Sequence, residues 1–303
     1  MTRMLLILTE NHTMRPAPEP RDLVQWAVEA ERAGFDSVMV SEHIALGPSA
    51  NANGLPENPR DYALPGNQDP ATPWPSPLIL LSAVAAATTT IRLVAGAIIS
   101  PLRHPLALAK DLATLDRLSH GRLIVLPTVS WHRDEYDALG VPFGKRGEIL
   151  DEQLAIWAKA WAGNPVSFSG NHFEFCDIWL EPQPARPGGP LLWFGGSTVH
   201  PRLLARMKRY ASGYNPLGSP SAEELELLRE TGLGPDRIEY VGGTRGVFPD
   251  AHHPADLDRA LATIPDQLER GFGTICIKPS QFIDDSAAIG SFCREVIDKV
   301  AGY

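Results

Sequence analysis

The sequence predicts an α/β protein, a single (β/α)8 (TIM) barrel over residues 1–303 with insertions after strands 2 and 4. Three observations carry that expectation. Short, uninterrupted apolar runs alternate with segments whose apolar residues recur at helical spacing. The runs number about eight. The 303 residues exceed the ~250 usual for such a barrel, and the surplus lies in two long segments, each placed after a strand.

Met4–Leu8 (MLLIL) is the first strand, apolar throughout as a strand buried on both faces must be. A helix follows over Arg21–Arg32, with Leu23, Trp26, Ala27 and Ala30 on one face and Gly34 as its stop. Ser37–Val40 is the second strand. A loop then runs from about Ile44 to Pro77, with seven prolines ahead of Pro77 and few charges, the composition of a mobile lid over a site. Pro77–Thr90 is helical in composition, and Ile91–Ile99 (IRLVAGAII) is the third strand. Pro105 opens a helix with Leu108, Leu112 and Leu115 aligned, Gly121 closes it, and Arg122–Leu126 is the fourth strand. Trp131–Pro190 holds a helix and a hairpin (VSFSGNHFEF), the second insertion. Leu191–Phe194, Ala211–Tyr214, Ile238–Val241 and Thr274–Ile277 supply the remaining strands.

Composition narrows the function. Lys+Arg 27 against Asp+Glu 36 gives a net charge of −9 without basic blocks, which disfavours a nucleic-acid partner. The longest apolar stretch, Leu78–Ala87, is too short to span a membrane, and Met1–Leu8 lacks the pattern of a secretion signal, so the cytoplasm is the expected location. Cys176, Cys276 and Cys293 show no CxxC spacing and are expected to be buried thiols rather than a disulfide framework or metal ligands. HxH and HExxH are absent, so no metal site is expected, and there is neither a GxGxxG nor a true P-loop.

Three clusters lie at strand ends. Ser41-Glu42-His43 brings a carboxylate and an imidazole to the mouth, and His43 is suited to move a proton near neutral pH or, alternatively, to brace the loop. Ser130-Trp131-His132-Arg133-Asp134-Glu135 follows the fourth strand. Trp131 offers a flat wall for an aromatic ligand, whereas the charged members read as a solvated helix start. Phe194-Gly195-Gly196-Ser197-Thr198 is a strand running into glycines and hydroxyls, either an anion-binding turn or simply a tight turn.

In this order the segments AGFDSVMVSEH (Ala33–His43), IRLVAGAIISPLRHPLALAKDLATLDRLSHGRL (Ile91–Leu123), WHRDEYDALGVPFGKRGEILDEQLAIWAKAW (Trp131–Trp161) and PLLWFGGST (Pro190–Thr198) resemble the luciferase-like monooxygenase superfamily. TPWPSPLILLSAVAAATTTIRL further resembles its branch that uses coenzyme F-420. The resemblance implies that His43 lies beside a cofactor ring, and His43 and Trp131 are the expected catalytic residues. It also implies a strand bulge with a non-prolyl cis peptide at Ala97-Ile98 and a phosphate-binding turn at Gly195, Gly196 and Ser197. The family's GxGxGW at the fourth strand end is here Leu126-Pro127-Thr128-Val129-Ser130-Trp131, with larger residues at the glycine positions 126, 128 and 130. Thr128 and Ser130 are then expected to give the cofactor hydroxyl donors instead.

In function, the resemblance implies a deazaflavin-dependent oxidoreductase that moves a hydride between F-420 and a small organic substrate. An FMN-dependent monooxygenase served by a separate flavin reductase is the alternative within the class. A catalytically silent cofactor-binding barrel is the alternative outside it. A homodimer is compatible with each.

Overall fold

A computed structural model describes residues 2–303. In chain order its strands are β1 (Arg3–Ile7), β2 (Ser37–Val40), β3 (Arg92–Ile99), β4 (Leu123–Thr128), β5 (Val166–Ser169), β6 (Glu174–Ile178), β7 (Leu191–Phe194), β8 (Gly213–Tyr214), β9 (Glu239–Gly243) and β10 (Thr274–Ile277). Its helices are α1 (Pro20–Ala33), α2 (Pro77–Ala87), α3 (Pro105–Leu118), α4 (Arg133–Ala138), α5 (Arg146–Ala160), α6 (Pro201–Tyr210), α7 (Ala222–Glu230), α8 (Leu257–Leu261), α9 (Ile264–Glu269) and α10 (Ile289–Val300). Eight parallel strands close in the order β1-β10-β9-β8-β7-β4-β3-β2, which is the expected (β/α)8 barrel, while β5 and β6 form the antiparallel hairpin of the second insertion.

Alternation along each strand explains the continuous apolar runs. Leu5, Ile7, Val94, Ile124, Leu126, Trp193, Val241 and Cys276 fill the lumen, and their neighbours Met4, Leu6, Leu93, Val125, Ile275 and Ile277 pack outward against the helices. Trp193 occupies much of the lumen because its neighbour on β8 is Gly213, where a Cβ would stand 2.2 Å from the indole. Below these layers Arg92 ties Asp36 to Glu239 and covers the Trp193 ring, closing the N-terminal end with charge.

Outside, α1 buries the four expected residues and stops at Gly34, whose φ of 99° needs a glycine and whose N–H donates to Ala30 and Glu31. Helix α5 locks onto α3 through Trp157 and Trp161, whose indoles donate to the carbonyls of Pro105 (3.1 Å) and Ala109 (3.3 Å).

Two expectations change. The strand expected over Ala211–Tyr214 shortens to two residues, since the Ala211 N–H still closes α6 on Met207. Cys276 and Cys293 are buried, but Cys176 is exposed because the hairpin carrying it lies outside the barrel. The proline-rich loop, expected to be a mobile lid, makes polar contacts across the mouth. Asn58 donates to the carbonyls of Asp250 (2.8 Å) and His253 (3.0 Å), Arg60 pairs with Asp284 and Asp61 with Arg245, tying the loop after β2 across the mouth to the segments after β9 and β10.

Candidate active site

The end of β2 makes three distinct contacts. Ser41 shares its hydroxyl with Thr9 (2.6 Å) and Glu10 (2.7 Å). Glu42 is not free for chemistry: its carboxylate accepts the Ile99 N–H at 2.8 Å and the Arg103 guanidinium, so it braces β3 from within a buried position. His43 comes next, its side chain 8% exposed, with Nδ1 hydrogen-bonded to Oε1 of the fully buried Glu135. With Nδ1 engaged by Glu135, Nε2 is the ring nitrogen left without a partner.

Aromatic rings surround that imidazole edge-on. Their centroids lie at 5.0 Å for Trp74, 5.9 Å for Trp131 and 6.2 Å for His132. Burial lowers the pKa of His132, so it is a neutral ring, and its Nε2 accepts the Gly47 N–H at 2.8 Å. Asp134 accepts from Ser49 at 2.9 Å. The cluster after β4 is a solvated helix start only at Arg133 and, in part, Asp134; His132 and Glu135 are buried, turned inward by the packing of the β2 loop onto α4.

On β3 the register shifts between Gly96 and Ile98, as a bulge does, and the Gly96–Ala97 peptide is cis. The special bond thus precedes the expected pair. Ala97 packs on the lumen residues, but Ile98 belongs to the outer core and faces the helices, so its side chain is not available to a ligand in the mouth. Thr128 and Ser130 turn onto their own chain. Thr128 Oγ1 accepts from Ser130 N and Ser130 Oγ from His132 N, each at 3.4 Å, and Ser130 holds the left-handed φ of 56° that a glycine there would adopt freely. Each oxygen accepts one long hydrogen bond and keeps its second lone pair and its hydroxyl proton uncommitted.

At the end of β7 the two glycines separate in role. A Cβ on Gly195 would stand 1.7 Å from the Asn215 carbonyl oxygen, so this glycine serves backbone packing. A Cβ on Gly196 would make only ordinary contacts, 3.6 Å from Leu203 Cδ2 and from the Thr198 carbonyl oxygen, and Ser197 is exposed. The first amides of α6 lie further on and are served by His200, whose Nδ1 accepts from Leu203 at 3.2 Å, and the Val199 amide is taken by Glu224 at 2.7 Å. An anion would meet the backbone of Gly196 and Ser197 rather than the helix terminus itself.

All the expected site residues therefore sit on β2, β3, β4 and β7, four consecutive staves forming one side of the mouth. Sequence reasoning does not single out Glu135, Trp74, Tyr62 or Lys278. Lys278 had a legible signal, because it keeps the inward parity of Cys276 one step beyond β10. Tyr62 and Trp74 come from the proline-rich loop, whose path no periodicity reveals.

A family model described as luciferase-like monooxygenase matches residues 1–264. An uncharacterized protein of Mycobacterium tuberculosis is 34% identical over 294 residues, 94% of each chain. The F420-dependent glucose-6-phosphate dehydrogenase of Amycolatopsis mediterranei is 28% identical over 184 residues, 59% of this chain and 49% of that one. In fold, the chain superposes with a TM-score of 0.69 and 18% identity on the oxygenating constituent of the Pseudomonas putida 3,6-diketocamphane monooxygenase, a type II Baeyer–Villiger enzyme in complex with FMN, covering 99% of this chain and 98% of that one.

Proposed function

The chain belongs to the luciferase-like monooxygenase family, and on that premise we propose that it is a coenzyme F-420-dependent oxidoreductase acting on a small organic substrate. The observation that carries the reading is the His43–Glu135 pair at the mouth, with Nε2 of His43 free among Trp74 and Trp131. A hydride arriving at a carbonyl, or leaving an alcohol, requires a proton to move at the same oxygen, and an imidazole backed by a carboxylate supplies that exchange.

The residues present fit a flat redox ring. Glu135 Oε2, Trp74 Nε1 and His132 Nδ1 are buried polar atoms without partners, grouped around the His43 imidazole. Ala97 offers the lumen only a methyl group, and Gly196 has no side chain to cover the backbone where a phosphate would approach. Bound there, F-420 would supply the hydride chemistry of its deazaflavin ring. The protein's own residues do the rest. Ala97 walls one face of the pocket, Trp74 and Trp131 exclude water, and the amides of Gly196 and Ser197 hold the tail phosphate. Nε2 of His43 holds or accepts the substrate proton, while Glu135 fixes the imidazole's orientation and stabilises its positive charge.

Support for F-420 comes from the F420-dependent dehydrogenase among the relatives, together with a His43–Glu135 pair suited to the proton that accompanies a hydride. Parallel equilibrium titrations of the purified protein with F-420 and with FMN test the reading. Saturable binding of F-420 at least about tenfold tighter than FMN is expected, a difference of ~1.4 kcal/mol. Tighter binding of FMN would turn the assignment to a monooxygenase that draws on a flavin reductase, and binding of neither would overturn it.

A further inference from the structure

The part of the mouth after β9 and β10, two to three staves from β2, carries a feature that hydride transfer and tail binding leave unused. Lys278 follows β10 and is 1% exposed, yet it makes no ion pair among the described residues. Its ammonium nitrogen donates to the Asp61 carbonyl oxygen at 3.1 Å and lies 5.1 Å from the centroid of the Tyr62 ring. Burial pushes its pKa below the ordinary value, opposed only by the more distant charges of Glu10 and Asp61. A buried ammonium with one neutral hydrogen-bond acceptor has donors to spare, and an anion is the ligand that completes it.

A second cation faces the same place. Arg245, just beyond β9, grips the Asp61 carboxylate with Nη2 at 2.8 Å and Nε at 3.3 Å, the two-pronged geometry a guanidinium offers any carboxylate or phosphate. Asp61 thus supplies an anion to Arg245 and a carbonyl dipole to Lys278 at once, and its neighbour Tyr62 packs on the lumen cluster that Ala97 also touches. The loops after the last two strands are a recurrent anion-binding position in barrels.

The geometry points to Lys278 and Arg245 as a binding site for a small anionic group of the substrate, a carboxylate or a phosphate, for which Asp61 stands in and whose arrival withdraws Tyr62 from the mouth. The site deepens the proposed function by giving the substrate a charge class, and it gives the pinned loop a trigger: the incoming anion replaces the loop's own.

The test is made on the full chain without cofactor, so its outcome is independent of whether F-420 binds. Amide hydrogen exchange of the segment 57–69 is followed during titration with sodium phosphate and, separately, sodium acetate, against sodium chloride at matched ionic strength. One of the two anions should raise exchange around residues 60–64 by about fivefold or more. Asp61→Asn, which removes the competing charge, should shift the midpoint about tenfold toward lower anion concentration. Lys278→Met should abolish the response, and Arg245→Gln, at an exposed side chain, should weaken it if the buried substitution does not fold. The phosphate and acetate arms identify which anion the site takes. A response equal to that of chloride, or retained in both cation variants, would overturn the proposal.

Discussion

Nδ1 of His43 is hydrogen-bonded to Oε1 of Glu135, so the end of β2 and the first turn of α4 share one buried contact at the barrel mouth. The contact joins the residue the sequence marks for proton chemistry to one that reads there as solvated. It also fixes which imidazole nitrogen is free.

If Glu135 orients His43, Glu135→Ala leaves Nδ1–H buried and unpaired, and denaturant unfolding should show a loss of about 3 kcal/mol. Glu135→Gln keeps a hydrogen-bond acceptor and should recover most of that stability. An unchanged unfolding midpoint in Glu135→Ala would mean the pair contributes nothing to the fold.

His43→Ala should lower kcat by about 100-fold or more once a substrate is in hand, with cofactor affinity changed little, because the lost interaction forms mainly as the proton moves. A loss confined to cofactor affinity would make His43 a positioning residue.

The two glycines after β7 should separate experimentally. Gly195→Ala drives a methyl into the Asn215 carbonyl and should lower thermal stability whether or not cofactor is present. Gly196→Asp meets no such obstacle and should fold normally while weakening tail binding by charge repulsion. Equal cofactor affinity in a folded Gly196→Asp protein would reduce the segment to a turn.

The N-terminal end of the barrel predicts an acid transition. Burial alone would raise the pKa of Glu239, but hydrogen bonds and charge from Arg92, with Thr274 and Arg3, outweigh it and hold the carboxyl below its ordinary 4.5. A depressed carboxylate contributes stability that is present above the unfolded value and lost as pH falls through the folded one. The stability gap between the parent and Glu239→Gln, about 3 kcal/mol at pH 7, should therefore narrow below pH ~4.5. A gap that stays constant down to pH ~3 would contradict this.

Thiol titration gives a simpler check. Burial pushes Cys276 and Cys293 up to about 12, whereas Cys176 is exposed, so one thiol per folded chain should react with a disulfide reagent and the other two only after unfolding.

The barrel is legible because strands buried on both faces must be apolar throughout and amphipathic helices must repeat near 3.6 residues, and Leu5 and Leu23 carry those patterns in sequence. The site is legible only where it rides on such elements. His43, Trp131 and Gly196 follow strands and stand out for that reason, as does the bulged segment at Ala97. Glu135 escapes because a carboxylate in a first helical turn has a local reason to be there, the helix dipole, which hides its long-range partner 92 residues earlier. At the bulge the Ile98 side chain turns to the outer core, so of the expected Ala97-Ile98 pair Ile98 offers only its backbone to the mouth. Tyr62, Asp61 and Trp74 depend on the path of a loop whose anchors, Asn58 and Arg60, hold residues roughly 190 to 220 positions away, a distance local pattern cannot reach.

The central claim is that the redox ring lies in the mouth against Ala97 and beside His43. The most direct measurement is the position of the ring in a crystal of the F-420 complex. The ring should lie between Ala97 and the His43–Trp74–Trp131 group, with the tail phosphate at Gly196 and Ser197. A ring bound outside the mouth, or held on the side of Lys278 and Arg245 away from His43, would contradict it.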